Sequence, residues 1–189
     1  CSPTPSPALI TGFFAAFAIA VALGAKLRVR GAGTTRTIAA DDFFQGFLAT
    51  ALAPGEILAA VRWPLLPSRS GWSCLEFARR PGDFALAGVV ASVSLDESGR
   101  YSDVRLVPFG VGPRPLRARA AEAALAGERP GESLHLRAAE RAIAELEAPQ
   151  SDAHASSEYR AHLTRVLMQR ALAEAAARAS SSLEATPGV

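Results

Sequence analysis

Residues 84–111, Phe-Ala-Leu-Ala-Gly-Val-Val-Ala-Ser-Val-Ser-Leu-Asp-Glu-Ser-Gly-Arg-Tyr-Ser-Asp-Val-Arg-Leu-Val-Pro-Phe-Gly-Val, decide the fold of this chain. From Phe84 to Leu95 the residues are apolar and β-branched in alternation, which points Val89, Ala91, Val93 and Leu95 to one side of a strand. Asp96-Glu97-Ser98-Gly99 is a run of turn formers, so the chain reverses there and Val104 to Val111 returns as the partner strand. Upstream, Trp72 to Ala78 can form a third strand, with Arg79-Arg80-Pro81-Gly82-Asp83 as the interruption. The expected unit is a small antiparallel sheet of three strands.

Downstream the period changes from strand to helix. Pro113 and Pro115 close the sheet, and an Ala-rich segment from Leu116 to Ala126 ends at Gly127. His135 to Leu146 places Leu136, Ala139, Ile143 and Leu146 on one stripe. Ser156 or Ser157 can cap a last helix that carries Tyr159, Leu163, Val166, Leu167 and Ala171 inward, and Ser180 to Val189 should fray. Strands first and helices afterwards define an α+β class, a three-stranded antiparallel sheet with a C-terminal three-helix bundle.

Upstream, Leu66-Pro67-Ser68-Arg69-Ser70-Gly71 is the linker candidate, since these residues rarely continue an element. Lys26 to Arg30 alternates, Gly31-Ala32-Gly33-Thr34 supplies a tight turn, and Thr35 to Ile38 completes a hairpin. This Gly-x-Gly is no dinucleotide loop, because it lacks a third glycine and does not open into a helix. Asp41 should cap a short helix through Phe47, and Pro54 to Trp63 contains a further strand. Ala8 to Ala25 is nearly unbroken apolar sequence at the lower edge of a membrane span. It is Ala-rich, holds Gly12 and Gly24 and has no basic residue before it, so a buried helix with Phe13, Phe14, Phe17, Val21 and Gly24 inward is favoured.

Composition excludes several classes. The chain has 189 residues, 49% hydrophobic and 20% charged, with a formal net charge of +2, which fits a globular protein with no basic nucleic-acid footprint. Cys1 and Cys74 are too few for an iron–sulfur centre or a disulfide framework, and His135, His154 and His162 form no ligand cluster; His154 and His162 should be solvent-exposed. No Ser–His–Asp or Cys–His arrangement supports hydrolysis. Redox chemistry would need an organic cofactor or another chain. The first residue, Cys1, is not Met, so a partial chain is expected.

Several strings, in order, resemble one family. They are Phe43-Phe44-x-Gly46-Phe47; Thr50-x-Leu52-x-Pro54-Gly55-Glu56-Ile57-Leu58; Phe77-Ala78-Arg79-Arg80-Pro81-Gly82-Asp83-Phe84-Ala85-Leu86-Ala87-Gly88; Phe109-Gly110-Val111-Gly112-x-x-Pro115-x-Arg117; and Asp152-x-His154-Ala155-Ser156-x-Glu158-Tyr159-Arg160 with Val166-Leu167. Together they resemble the FAD-binding medium subunit of molybdenum hydroxylases of the carbon monoxide dehydrogenase and xanthine dehydrogenase type. The resemblance implies residues 1–66 as the end of an α+β FAD-binding domain, 67–178 as the flavoprotein C-terminal domain and 179–189 as a disordered tail. It also implies FAD as cofactor, with two partners in a cytoplasmic complex: a molybdopterin-binding large subunit and a small subunit with 2Fe–2S clusters. Electrons would pass from those clusters through FAD to an external acceptor, the protein orienting and tuning the ring.

By the same resemblance, Leu58, Glu76, Arg80, Asp83 and Phe84 are the candidate cofactor-binding residues. Leu58 matches a position that contacts the flavin ring, against which stands an ordinary core residue of a strand. Glu76 falls where related subunits often carry a lysine; it would disfavour an anionic reduced ring, and the plain alternative is a surface glutamate on an edge strand. Arg79 or Arg80 with Asp83 can hold the flavin edge or simply close a polar turn, and Phe84 can face the ring or the core. Tyr159 and Arg160 are explained by packing and capping. The family's glycine-rich pyrophosphate loops lie upstream of all these strings, so this chain alone is expected to bind FAD weakly or not at all. Two other classes stay open: a non-catalytic subunit-docking module without FAD, and a small membrane-anchored protein held by residues 8–25.

Overall fold

The computed structural model describes residues 7–80, 82–146, 149 and 151–181, with side chains described from residue 15 onward. The elements in order are α1 (Pro7–Ala22), β1 (Lys26–Arg30), β2 (Thr35–Ala39), α2 (Ala40–Phe43), β3 (Phe44–Gly46), β4 (Ala49–Thr50), β5 (Ile57–Arg62), β6 (Ser70–Phe77), β7 (Ala87–Leu95), β8 (Tyr101–Phe109), α3 (Arg119–Leu125), α4 (Glu132–Glu145) and α5 (Ser157–Ser181). They build two three-stranded sheets, β2-β1-β5 and β6-β7-β8, and the small β3-β4 pair, all antiparallel. The α+β class and the C-terminal arrangement of three strands followed by three helices stand as expected. The expected Phe13 and Phe14 packing lies outside the described residues; of the segment 179–189 expected to fray or form a tail, residues 179–181 are instead the last turn of α5, anchored by buried Ala179, and the remainder lies outside the described residues.

The central strand β7 is buried at every position, which simple alternation did not predict. Val89, Ala91, Val93 and Leu95 face a core with Leu106, Leu125, Met168 and Leu172, against α3, α4 and α5. Val90 faces the other way with Val107 and Phe109, into a second core with Val21, Leu27, Val29, Phe43 and Phe44. Helix α1 packs on β7 and β8 on that side, so one strand serves two cores. A fully buried Leu or Val here contributes about 2 kcal/mol, which is why both faces must be covered.

Glycine allows the tightest approach. A Cβ on Gly71 would lie 2.0 Å from the Ala175 carbonyl oxygen and 2.5 Å from the Ala179 nitrogen, so α5 rests directly on the β6 backbone there. Beside it the Arg178 guanidinium sits 4.9 Å over the Trp72 ring and donates to the Trp72 carbonyl.

The local differences from expectation have simple causes. The linker is shorter than 66–71, because Ser70 and Gly71 already pair with β7. Helix α2 is a single turn whose N-cap is Ala39, with Asp41 and Asp42 inside its first turn, and Phe44 turns extended to pair with Thr50. That break lets both Phe43 and Phe44 reach the core, Phe44 stacking 4.6 Å from Phe17. Helix α3 begins at Arg119 rather than Leu116. On α4 the buried stripe is Leu134, His135, Ala138, Ala139 and Ala142, and Leu136 is exposed, because alanines let α4 lie close against α5. Ser156 caps α5 by accepting from the Tyr159 amide, but Tyr159 itself is exposed and Arg160 is buried in its stead.

Candidate functional site

The interruption between β6 and β7 is a closed loop. At its base the Leu86 amide donates to the Phe77 carbonyl at 2.8 Å, and within it the Asp83 amide donates to the Arg80 carbonyl at 3.1 Å. Gly82 takes φ 90°, a conformation costly for any residue with a Cβ, so the turn needs glycine. These bonds bring Arg80, Asp83 and Phe84 to one loop, with Phe84 62% exposed. Glu76 precedes the loop on β6, opposite Gly88, exposed on an edge strand, and burial of its carboxyl shifts its pKa upward. Leu58 is on a different sheet, on β5, where it is 41% exposed rather than buried.

The loop is held from behind by Arg160, whose role goes beyond the packing and capping its sequence position implies. Arg160 is 7% exposed and donates through Nη1 to the carbonyls of Leu86 (2.7 Å) and Gly110 (3.1 Å). Through Nη2 it reaches Asp152 Oδ2 at 2.6 Å. Asp152 Oδ1 accepts from the amides of His154 and Ala155, and these bonds, helped by the Arg160 charge, hold its carboxyl below the usual range. His154 then meets Arg79 Nη1 through Nδ1 at 2.8 Å, so Arg79 is bonded to the histidine and not to Asp83. His154 and His162 are both exposed, as expected. The Asp-x-His spacing and the arginine eight residues beyond Asp152 were the available signal for this cluster; its link to residue 86 is long-range and invisible in sequence.

Two other polar clusters are internally committed. A cleft of about 190 Å³ between α1, α2 and the segment after β8 contains three arginines. Arg114 donates to the Phe44 carbonyl, Arg117 to Glu122 and Arg119 to Asp41. On the far side, buried His135 bonds Tyr101 at 2.7 Å. Among the described residues no group of His, Cys, Asp or Glu could hold a metal, and no helix is long and apolar enough to cross a membrane.

Comparison with known proteins places this geometry. Residues 73–175 match the CO dehydrogenase flavoprotein C-terminal domain, and residues 15–66 match the FAD binding domain in molybdopterin dehydrogenase. The chain is 40% identical over 161 residues to the nicotine 6-hydroxylase medium subunit of Paenarthrobacter nicotinovorans, covering 85% of this chain and 55% of that one. It is 33% identical to the carbon monoxide dehydrogenase medium chain of Afipia carboxidovorans, covering 84% and 54%. Its fold superposes on carbon monoxide dehydrogenase from Hydrogenophaga pseudoflava with a TM-score of 0.81 at 33% identity, covering 86% of this chain and 56% of that one. The fold is thus that of a flavoprotein subunit. The chain belongs to the family of FAD-binding medium subunits of molybdenum hydroxylases, and it spans little more than half the length of the relatives it matches.

FAD is the cofactor of this family, and the described residues fit only part of it. Exposed Phe84 and Leu58 offer apolar surface of the kind a flat ring needs. The Gly31-Ala32-Gly33 turn is no diphosphate cradle: the Gly31 amide is spent on the Thr34 carbonyl inside the β1–β2 hairpin, and that turn leads into a strand. No chemical step is therefore assigned to particular residues.

Proposed function

We propose that this chain forms the ring-facing part of a medium subunit that passes electrons from the 2Fe–2S clusters of a small subunit through FAD to an external acceptor. A molybdopterin-binding large subunit would oxidise the substrate, in a cytoplasmic complex of the three. FAD would supply the redox chemistry; the residues here would orient and shield its ring. Leu58, Glu76, Arg80, Asp83 and Phe84 are the proposed ring-side set, with residues 1–66 and 67–181 taken as the two functional units; the tail expected from residue 179 does not begin there, since α5 runs to Ser181 with Ala179 fully buried. The observation that carries this reading is the 73–175 family match falling on a loop with a 62% exposed aromatic, fixed from behind by a buried arginine.

A second reading is a subunit-docking module without FAD, for which the match of residues 73–175 to the C-terminal domain is the support. Co-expression with the large and small subunits, followed by purification and flavin analysis, separates the two. The first reading expects co-purification with about one FAD per complex, and a chain purified alone that is nearly colourless. A complex that forms without flavin supports the docking reading. A chain that joins neither partner overturns both.

A further inference from the structure

The β2-β1-β5 sheet turns a basic face outward. Leu27 and Val29 of β1 are buried in the core, whereas Lys26, Arg28 and Arg30 alternate with them and are exposed. Thr35, Thr37 and Ala39 of β2 flank these three on one side, and Ile57, Ala60 and Arg62 of β5 on the other. Four of these nine positions are cationic and none is acidic. The side chains of Lys26, Arg28, Arg30 and Arg62 make no ion pair or hydrogen bond among the described residues. Glu56, next to Ile57, is spent on Arg36 at 2.8 Å. Lys26 stands directly opposite Arg62, which costs stability while no anion lies between them. The whole chain carries only +2, so the four charges are a local concentration.

We propose that this face is the landing site of an acidic electron-accepting protein, the external acceptor of the function proposed above. The partner's redox role rests on that reading; the docking rests on the charges alone. Three of the four cations are arginines, whose planar guanidinium meets a carboxylate in a fixed two-bond geometry, so a carboxylate-bearing surface is the complementary partner. Ordinary strand spacings make the face about 10 Å by about 14 Å between backbone atoms. With side chains that is a few hundred Å², against about 800 Å² per partner in a stable interface. A small patch with charge at its centre suits a short-lived contact and not a fixed subunit, whose interface core is depleted in charged residues. Charge steers such a partner in without holding it long, as a carrier that must arrive, take an electron and leave requires. The face is also next to the proposed ring side, since Leu58 pairs with Val29, the residue between Arg28 and Arg30. Two acceptor molecules in turn each take one electron from the reduced ring, and its two protons pass to solvent.

The probe is plant plastocyanin, a small acidic one-electron carrier, titrated in its reduced form into the isotope-labelled 189-residue chain and followed by amide NMR shifts. At low ionic strength the shifts should fall on β1, β2 and β5, and they should fade toward about 0.15 M salt, where charge is screened within about 8 Å. Arg28→Gln with Arg30→Gln should weaken binding about fivefold, the scale of two exposed ion pairs. Arg28→Lys with Arg30→Lys should keep most of it. Arg137→Gln with Arg141→Gln, at exposed positions of α4, removes the same charge elsewhere and should leave binding unchanged. Equal weakening by the α4 pair, shifts that map elsewhere, or tighter binding to phosphatidylserine vesicles than to plastocyanin overturns the docking face. In the flavin-loaded complex, Arg28→Gln with Arg30→Gln should slow oxidation of the ring by oxidised plastocyanin about fivefold, the same loss, and leave oxidation by neutral benzoquinone unchanged. Equal slowing of both, or of neither, overturns the acceptor role. The titration needs no flavin, so failure of docking and failure of the flavin reading are separate results.

Discussion

In the β6-β7-β8 sheet the central strand is buried at every residue, whereas β5, at the edge of the β2-β1-β5 sheet, keeps Ile57, Leu58, Ala59, Val61 and Arg62 exposed. The two strands are similarly apolar. What differs is cover: β7 has α5 on one face and α1 on the other, and β5 pairs only with β1. Apolar sequence thus marks surface to be covered without saying by what. On β7 the cover is part of this chain; on β5 the same chemistry faces outward, next to Leu58.

The contrast can be broken hardest at Gly71. Gly71→Ala would push a methyl into the backbone of α5 at Ala175 and Ala179, which no side-chain rotation relieves. A loss on the order of 3 kcal/mol or more is expected in urea unfolding; a near-neutral effect would mean that α5 is not seated on β6. A smaller effect comes from His135, buried against Tyr101, whose pKa burial lowers. The unfolded chain takes up this proton more readily than the folded one. Its contribution is therefore intact above about pH 6.5, the ordinary imidazole value, and is lost as pH falls from there toward the depressed folded value. Unfolding midpoints taken across that window should slope downward toward acid, and His135→Gln should remove that part of the slope. The smallest effect belongs to β5. Ile57 is 64% exposed, so Ile57→Thr should change the stability of the chain by no more than about 0.5 kcal/mol. A large loss would show that β5 is covered after all.

Local pattern made much of this legible. The β1–β2 hairpin, the β7–β8 hairpin, the break after Phe77 and the Ser156 cap follow from turn formers, alternation and capping chemistry within a few residues. The errors arise where distant chain decides. Alternation assigned Val89 and its partners to the core but could not reveal that α1 covers Val90 on the reverse face. Helical spacing put Leu136 and Tyr159 inward, whereas the alanine stripe of α4 and the guanidinium of Arg160 occupy those interfaces. Of the ring-side candidates, Arg80, Asp83 and Phe84 share a loop because they are sequence neighbours. The Arg160 support behind them joins residues 74 apart, and only the folded chain displays it.

The arginine over Trp72 has a consequence for assembly. An outer strand with open carbonyls invites any extended peptide to zip alongside, a route to fibres as easily as to function. By occupying one of those acceptors and flanking it with a bulky cation, Arg178 denies that route along β6. An extended segment laid along this flank would find the Trp72 carbonyl already taken and a guanidinium in its way.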